Sequence, residues 1–196
     1  MEGLPLLSAT APGWAEIAAA DLPTFLADHA VCEQQAALTG LNLVAHYPDD
    51  AELVERMTAL AAEEVLHLRR VTGLLHRRGL RPMRRRRNPY VHALRRRIRA
   101  DSEKDCKVDR LLVGALIEAR SCERFTLLYH AVESRDPEVA RMFHDLGPAE
   151  RRHWEMFHRL AGREIDPVSF AAIWRGWLAY EAEIQARAGS SPFVHG

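Results

Sequence analysis

The sequence contains little cysteine and no cysteine motif. Its 196 residues include only Cys32, Cys106 and Cys122, and no two of these form a Cys-x-x-Cys pair. An odd, scattered set of thiols does not fit a disulfide framework or a thiolate metal site. It favours a reducing compartment, and we therefore expect a cytoplasmic location.

Long hydrophobic runs are also missing. No apolar stretch approaches the roughly 20 residues that a transmembrane helix needs, and no basic-then-apolar signal peptide stands at the N-terminus. Apolar and polar residues do not alternate as they would in strands. The length suits one domain with a buried core, so we expect residues 1–196 to form a single all-α domain without a membrane segment.

Acidic residues are absent from one segment. Eleven arginines and no aspartate or glutamate lie between Arg77 and Arg99, although the formal net charge of the chain is zero. The rest of the chain is therefore acidic. A basic patch on a neutral protein indicates a polyanionic partner. Pro82 and Pro89 lie in the same stretch, which predicts a long connection over about residues 79–100 with a short helix from Pro89 to Arg99.

Apolar residues at helical spacing predict four long helices and one further helix near the C-terminus. The first stripe is Leu26, Ala30, Glu33, Ala37, Leu41 and Val44. The expected helices cover about residues 21–47, 51–78, 101–134, 138–160 and 167–187. Two hairpins joined by the 79–100 crossover form a ferritin-like four-helix bundle, and the helix at 167–187 is extra.

Two Glu-x-x-His pairs carry most of the functional information. Each pair places a carboxylate and an imidazole on one face of a helix, and each follows another inward-facing glutamate by about thirty residues. The segments from Asp50 to His67 and from Asp136 to His153 have equal length, so the pattern is an internal repeat. The predicted ligand set of a carboxylate-bridged dimetal site is Glu33, Glu64, His67, Glu118, Glu150 and His153.

Charge balance supports two metal ions in this set. Four buried carboxylates need counter-charge, which two divalent cations supply, and carboxylates with imidazoles suit iron or manganese. We expect Glu33 and His67 to be terminal ligands of one ion, and Glu118 and His153 of the other. The first residues of the two pairs, Glu64 and Glu150, are then the bridging ligands and the residues closest to catalysis.

Glu123 competes with Glu118 for the ligand position. Cys122-Glu123 resembles Cys32-Glu33, but the spacing favours Glu118. Glu33 precedes Glu64 by 31 residues, Glu118 precedes Glu150 by 32, and Glu123 precedes Glu150 by 27. Glu123 also has Arg120 and Arg124 beside it and is expected to pair with them.

Three stretches resemble the MiaE-type tRNA hydroxylases. They are Leu26 to Glu33, Asn88-Pro89-Tyr90, and the segment from Asp109 to Phe125, which contains Gly-Ala-Leu-Ile-Glu-Ala-Arg-Ser-Cys-Glu-Arg-Phe. The resemblance implies a non-haem di-iron monooxygenase with two iron ions, O2 as co-substrate and an external electron donor. Its substrate would be 2-methylthio-N6-isopentenyladenosine beside the anticodon of tRNA, hydroxylated on the isopentenyl group.

A tRNA partner explains the basic segment. Guanidinium groups contact phosphates and stack on unpaired bases, which an anticodon stem-loop offers. The predicted RNA-binding residues are Arg84, Arg85, Arg86, Arg87, Arg95, Arg96, Arg97 and Arg99. Two other functions use the same residues. One is a ferritin-like protein that oxidises or stores iron without an RNA substrate, and the other is a non-enzymatic RNA-binding bundle with a structural metal.

Overall fold

The computed structural model describes residues 3–84, 86–189 and 191–195, and this part of the chain contains seven helices and no strand. The all-α prediction is confirmed. No helix in the described ranges is long and apolar enough to cross a membrane. The helices are α1 (Trp14–Ala20), α2 (Leu22–His46), α3 (Ala51–Arg77), α4 (Pro89–Arg95), α5 (Glu103–Val132), α6 (Pro137–Gly162) and α7 (Pro167–Ala186).

Side-chain caps fix where helices α2 to α7 begin. In each case the residue before the helix accepts a hydrogen bond from a backbone N–H of the first turn, which satisfies a donor that has no partner within the helix. These caps are Asp21, Asp50, Asn88, Ser102, Asp136 and Asp166. Proline occupies an early position of α2, α4, α6 and α7, where its missing N–H costs nothing.

Three features differ from the sequence-based expectations. Helix α1 was not predicted, and α4 ends at Arg95 rather than Arg99. Leu41, predicted to be buried, is 50% exposed, while Leu43 is buried. Two successive four-residue steps, from Glu33 to Ala37 and from Ala37 to Leu41, turn the side chain by about 80° and leave the buried face. That face continues through Gly40 and Leu43 instead.

The chain divides into two compact units. One contains α2, α3 and Pro192–Val194, and the other contains α1, α4, α5, α6, α7 and His195. We call the helix pair α2 and α3 hairpin I, and the pair α5 and α6 hairpin II.

In hairpin I, α2 and α3 pack through a buried apolar face and come close together at Gly40. A Cβ atom at Gly40 would lie 2.9 Å from the carbonyl oxygen of Met57 and 3.4 Å from Cβ of Ala61. Helix α3 ends at Arg77, and Gly79 just beyond it has a φ of 68°. The Leu80 N–H then donates to the Leu75 carbonyl at 2.8 Å. This left-handed C-terminal cap agrees with the predicted end of the helix.

In hairpin II, α5 packs against α6, and α4 and α7 also contact α5. Helix α5 is buried along most of its length, and even Arg120 and Arg124 are fully enclosed. The two helices come close together at Gly114, because a Cβ there would lie 2.8 Å from the Phe157 ring. Gly147 and Pro148 lie inside a continuous α6 and do not end it.

Candidate metal centre and arginine-rich segment

Hairpin I holds the first group of predicted ligands. Glu33 lies on α2, Glu64 and His67 lie on α3, and all three side chains are buried. Their ligand atoms lie within 4.8 Å of one another. His67 Nδ1 is 3.1 Å from Glu64 Oε2 and 3.7 Å from Glu33 Oε2. We call these three residues half-site I.

His29 holds the other carboxylate oxygen of Glu33. Its Nε2 atom makes a short contact with Glu33 Oε1 from one helical turn earlier, and the imidazole is completely buried. Burial alone would raise the pKa of Glu33, but His29 and His67 outweigh it and lower that pKa well below its usual range. Burial also disfavours the charged form of His67, yet Glu33 and Glu64 raise the pKa of His67 to about 10.

Hairpin II holds the second group. Glu118 lies on α5, and Glu150 and His153 lie on α6, again with all three side chains buried. Their ligand atoms also lie within 4.8 Å of one another. We call these residues half-site II. Each hairpin therefore brings together two carboxylates and one imidazole from the equivalent positions of the internal repeat.

The donor chemistry of each half-site fits one divalent metal ion. Two carboxylates carry two negative charges and a neutral imidazole carries none, so one divalent cation balances the group. Oxygen and imidazole ligands without thiolate are typical of iron and manganese. The second carboxylate oxygen of Glu33 is fixed by His29, as carboxylate ligands of metal sites usually are.

Glu123 has a different environment from Glu118. The Thr10 N–H donates to Glu123 Oε1 at 2.9 Å, the Thr10 hydroxyl donates to Oε2 at 2.6 Å, and Arg120 forms an ion pair with Oε2. Arg120 also donates to both carboxylate oxygens of Glu181, at 2.7 and 2.9 Å. Both oxygens of Glu123 are therefore used by this buried network, which supports Glu118 as the ligand.

Sequence reasoning missed most members of this network. Tyr90 donates to Glu181 at 3.0 Å, and Gln185 accepts from Arg124 at 3.2 Å. Glu181 and Gln185 lie four residues apart on one face of α7, which is the one pattern that the sequence offers. The hydrogen-bond partners of Tyr90, Glu181 and Gln185 lie 61 to 91 residues away along the chain. No local pattern identifies such pairs.

The predicted RNA-binding arginines fall into three groups. Arg84, Arg87, Arg95, Arg96 and Arg97 are exposed, and Arg85 lies outside the described residues. Arg86 and Arg99 are instead bound to carboxylates of the protein. Arg99 donates from Nε and Nη2 to Asp109, each at 2.9 Å, and its Nη1 lies 2.8 Å from Asp105.

The side chain of Arg86 is buried within the unit that contains hairpin I. It forms an ion pair with Asp28, which is completely buried, and its guanidinium lies 4.7 Å from the Phe193 ring centroid. Asp28 Oδ2 also accepts the Val194 N–H at 2.8 Å. Only about 5% of the Arg86 side chain is exposed, so a prediction that it contacts RNA does not agree with its position.

Comparison with known proteins identifies relatives along almost the whole chain. The family model described as tRNA-(MS[2]IO[6]A)-hydroxylase (MiaE) matches residues 4–196. A Pseudomonas putida protein named tRNA 2-(methylsulfanyl)-N(6)-isopentenyladenosine(37) hydroxylase is 43% identical over 164 residues, covering 83% of this chain and 77% of that protein. A Salmonella typhimurium protein of the same name is 25% identical over 211 residues, covering 84% and 76%.

A solved structure from Synechococcus, described as protein 43 with aldehyde deformylating oxygenase activity, is also similar. It has a TM-score of 0.90 and 30% sequence identity, with 97% of this chain and 95% of that chain covered. This similarity confirms the ferritin-like fold class, and the matches above confirm the resemblance carried by the Asp109 to Phe125 segment. The chain therefore belongs to the MiaE family of tRNA hydroxylases.

Proposed function

We propose that this chain is an iron-dependent hydroxylase of tRNA. Its substrate is 2-methylthio-N6-isopentenyladenosine beside the anticodon, and the reaction adds one oxygen atom from O2 to the isopentenyl group. One observation carries the proposal. This chain, a member of the family, has a buried group of two glutamates and one histidine at equivalent positions of both hairpins.

Each half-site has the ligands to hold one iron ion. Glu33, Glu64 and His67 hold the first, and Glu118, Glu150 and His153 hold the second. When bound, a reduced iron pair supplies the activation of dioxygen that side chains cannot perform. The bridging roles of Glu64 and Glu150 stay predictions from the sequence and the family resemblance.

The protein residues set the charge and the surroundings of the iron ions. His67, which is paired with two carboxylates, gives up its proton when a metal ion binds, because only the neutral imidazole is a ligand. His29 keeps Glu33 oriented. Phe125 lies two helical turns after Glu118 on α5, and Phe157 lies one turn after His153 on α6, and both rings are buried. They are therefore proposed to shield half-site II from water.

The arginine-rich segment is proposed to bind the tRNA backbone. Arg84, Arg87, Arg95, Arg96 and Arg97 are exposed and suit phosphate contacts. Arg85 remains a sequence-based prediction. Arg86 and Arg99 are proposed to support this surface through their ion pairs rather than to touch RNA. A tRNA substrate implies a cytoplasmic reaction, and an external electron donor is required.

The direct test uses iron-loaded protein, a reductant, dioxygen and tRNA that contains the modified nucleoside. We expect mass spectrometry of the digested nucleosides to show one additional oxygen atom on the isopentenyl adenosine. Glu64→Ala or Glu150→Ala should abolish this product and the optical signal of the iron pair. Glu63→Ala is the matched control, because Glu63 precedes Glu64 and is not among the proposed ligands.

Three outcomes would contradict the proposal. Full hydroxylation by Glu64→Ala would exclude half-site I from the reaction. Oxidation of many iron ions per chain with no change in the tRNA nucleoside would favour the iron-oxidising or storage function. Binding of tRNA by metal-free protein without any hydroxylation after iron loading would favour a structural metal.

A further inference from the structure

A cleft beside α7 combines arginine, aromatic and small residues. Its volume is about 410 Å³, within the range of small-molecule binding sites. None of its lining residues is a proposed metal ligand, and all belong to the same compact unit. The lining residues are Arg97, Arg99, Asp109, Ala172, Ile173 and Gly176, together with Trp177.

Two aromatic rings lie against the guanidinium of Arg97. Its central carbon lies 4.7 Å from the Tyr180 ring centroid and 5.6 Å from the Trp177 ring. The Tyr180 hydroxyl donates to the Ala93 carbonyl at 3.0 Å, which fixes that ring. The guanidinium also lies close to Gly176, since a Cβ there would meet Arg97 Nη2 at 3.5 Å, an ordinary van der Waals contact. Arg97 is nevertheless exposed, so the guanidinium is also open to solvent.

Arg99 lines the cleft, but its charge is neutralised by neighbouring carboxylates. Its donors are directed to Asp109 and Asp105, and Asp109 also accepts the Trp177 indole N–H at 3.1 Å. The buried carboxylate of Asp109 therefore holds both Arg99 and Trp177 in place. Within residues 3–84, 86–189 and 191–195, Arg97 has no carboxylate partner, so its charge remains available to a ligand.

We propose that this cleft binds an unpaired nucleobase of the RNA substrate, stacked on the guanidinium of Arg97. The proposal rests on the tRNA-modifying function above and adds a site for a base other than the one hydroxylated. Bases of single-stranded RNA stack on arginine planes, and such stacking tolerates different bases. The exposed Arg95 and Arg96 nearby suit the flanking phosphates.

A planar cation is essential to this arrangement. Lysine keeps the positive charge of Arg97, but its ammonium group is compact and strongly hydrated and has no flat face for a base. A simple electrostatic contact would accept Arg97→Lys, whereas a stacking contact would not. This difference separates the proposed site from a general attraction of RNA to the basic segment.

The test measures the affinity of the iron-loaded protein for two RNAs by fluorescence anisotropy. One is an anticodon stem-loop, and the other is a fully paired hairpin of similar length. For the stem-loop we expect Arg97→Lys to raise Kd about tenfold, which corresponds to about 1.4 kcal/mol. For the paired hairpin we expect less than a twofold change. Tyr180→Leu, which removes one supporting ring, should act in the same direction.

Arg96→Ala is the matched control. It removes an exposed charge one residue before Arg97 and should weaken the binding of both RNAs to the same extent. The slope of log Kd against log salt concentration should fall by about one. Equal affinity of the wild type and Arg97→Lys for the stem-loop would overturn the proposal. So would an equal loss for both RNAs. If the wild type binds and hydroxylates tRNA while Arg97→Lys behaves normally, only the stacking site fails. Failure of the wild type to bind tRNA would reject the proposed function as well.

Discussion

Glu118 and Glu123 show how a helix separates two identical side chains. They lie five residues apart on α5, and each residue turns the helix by about 100°. Their side chains therefore point about 140° apart. Glu118 lies beside the ligands of α6, whereas Glu123 meets Thr10 and Arg120. One carboxylate suits a metal ion, and the other balances a buried guanidinium.

Substitution of Glu118 should lower the metal content, whereas substitution of Glu123 should lower the stability of the fold. Glu118→Gln removes a charged ligand, so iron content should fall from two ions to about one per chain. Glu123→Gln should retain both ions but lower the free energy of unfolding by about 3 kcal/mol, because it breaks a buried ion pair. Iron analysis and urea unfolding measure the two effects. Loss of iron from Glu123→Gln with normal content in Glu118→Gln would reverse the assignment.

The sequence predicts this pair of roles only in part. Spacing from the Glu-x-x-His pair favours Glu118, and the neighbouring arginines indicate an ion pair for Glu123. The Thr10 contact is 113 residues away in sequence, and the Glu181 partner of Arg120 is 61 residues away. Local pattern carries no information on such contacts. Arg86, one of four consecutive arginines, looks like its neighbours in the sequence although it is buried.

At the scale of helices, small residues decide how closely each pair packs. Gly40 in hairpin I and Gly114 in hairpin II both lie where a Cβ atom would approach the neighbouring helix to less than 3 Å. At Gly40 the obstacle is the backbone carbonyl of Met57, which moves only if α3 moves. Glycine normally weakens a helix, so its place here reflects packing.

We expect Gly40→Ala to lower the free energy of unfolding by about 1–3 kcal/mol, the usual cost of overpacking. Gly73→Ala in α3 is the matched control. A Cβ atom there meets only Arg77 Nη1 at 3.5 Å, so the better helix propensity of alanine should raise stability by up to about 1 kcal/mol. Thermal or urea unfolding of both variants gives the comparison. Equal stabilisation by the two changes would show that hairpin I is not tightly packed at Gly40.

Most helix ends are predictable because they depend on local chemistry. Aspartate caps and early prolines mark the starts of α2, α3, α6 and α7 within a few residues. Helix α1 has only seven residues, too short for a periodic pattern. Pro148 removes one backbone donor of α6, but the helix continues, and the Gly147 carbonyl beside it accepts the Cys122 thiol at 3.4 Å.

At the scale of the whole molecule, one buried aspartate joins distant parts of the chain. Asp28 on α2 pairs with Arg86 of the crossover and accepts the Val194 N–H, 166 residues further along. Burial raises the pKa of Asp28, while Arg86 and the Val194 N–H oppose the shift. Within the unit that contains α2 and α3, Asp28 therefore holds Arg86 and the 192–194 segment on α2.

Arg86→Met should destabilise the protein in a pH-dependent way. Removing the guanidinium leaves a buried carboxylate without its counter-charge, which costs about 3 kcal/mol at pH 8. Burial raises the folded-state pKa of Asp28 above its ordinary value of 3.8 and Arg86 opposes this shift, so removal of Arg86 raises the pKa further and the folded variant holds the proton more tightly. The stabilisation that comes from binding this proton is fully present below the pKa of Asp28 in the unfolded chain. It is lost as the pH rises through the pKa of Asp28 in the folded protein. The loss should therefore be smaller at pH 5 than at pH 8.

Arg84→Met is the control, because Arg84 is exposed two residues earlier in the same crossover. Urea unfolding at both pH values should show a change within about 0.5 kcal/mol for this variant. If Arg86→Met were equally destabilised at both pH values, Asp28 would not be the group that takes up the proton.

The two hairpins and the crossover were predictable from the repeat, and the fold class is confirmed by the solved relative. The repeat is informative because each hairpin must place one glutamate and one histidine at the same distance from the start of its second helix. The tail could not be predicted in the same way, since the contact of Val194 with Asp28 has no periodic signal. The single-domain assignment of residues 1–196 stays a prediction.

The equal distances from the capping aspartates to the histidines limit how chain length can vary in evolution. Asp50 and Asp136 begin α3 and α6, and Glu64 and Glu150 each follow fourteen residues later, nearly four helical turns. One inserted residue in either stretch would rotate the downstream glutamate and histidine by about 100° and shift them by about 1.5 Å. Insertions and deletions should therefore not be tolerated between a cap and its ligands, whereas a change of length at residues 79–82, beyond the ligands of α3, would leave this register unchanged.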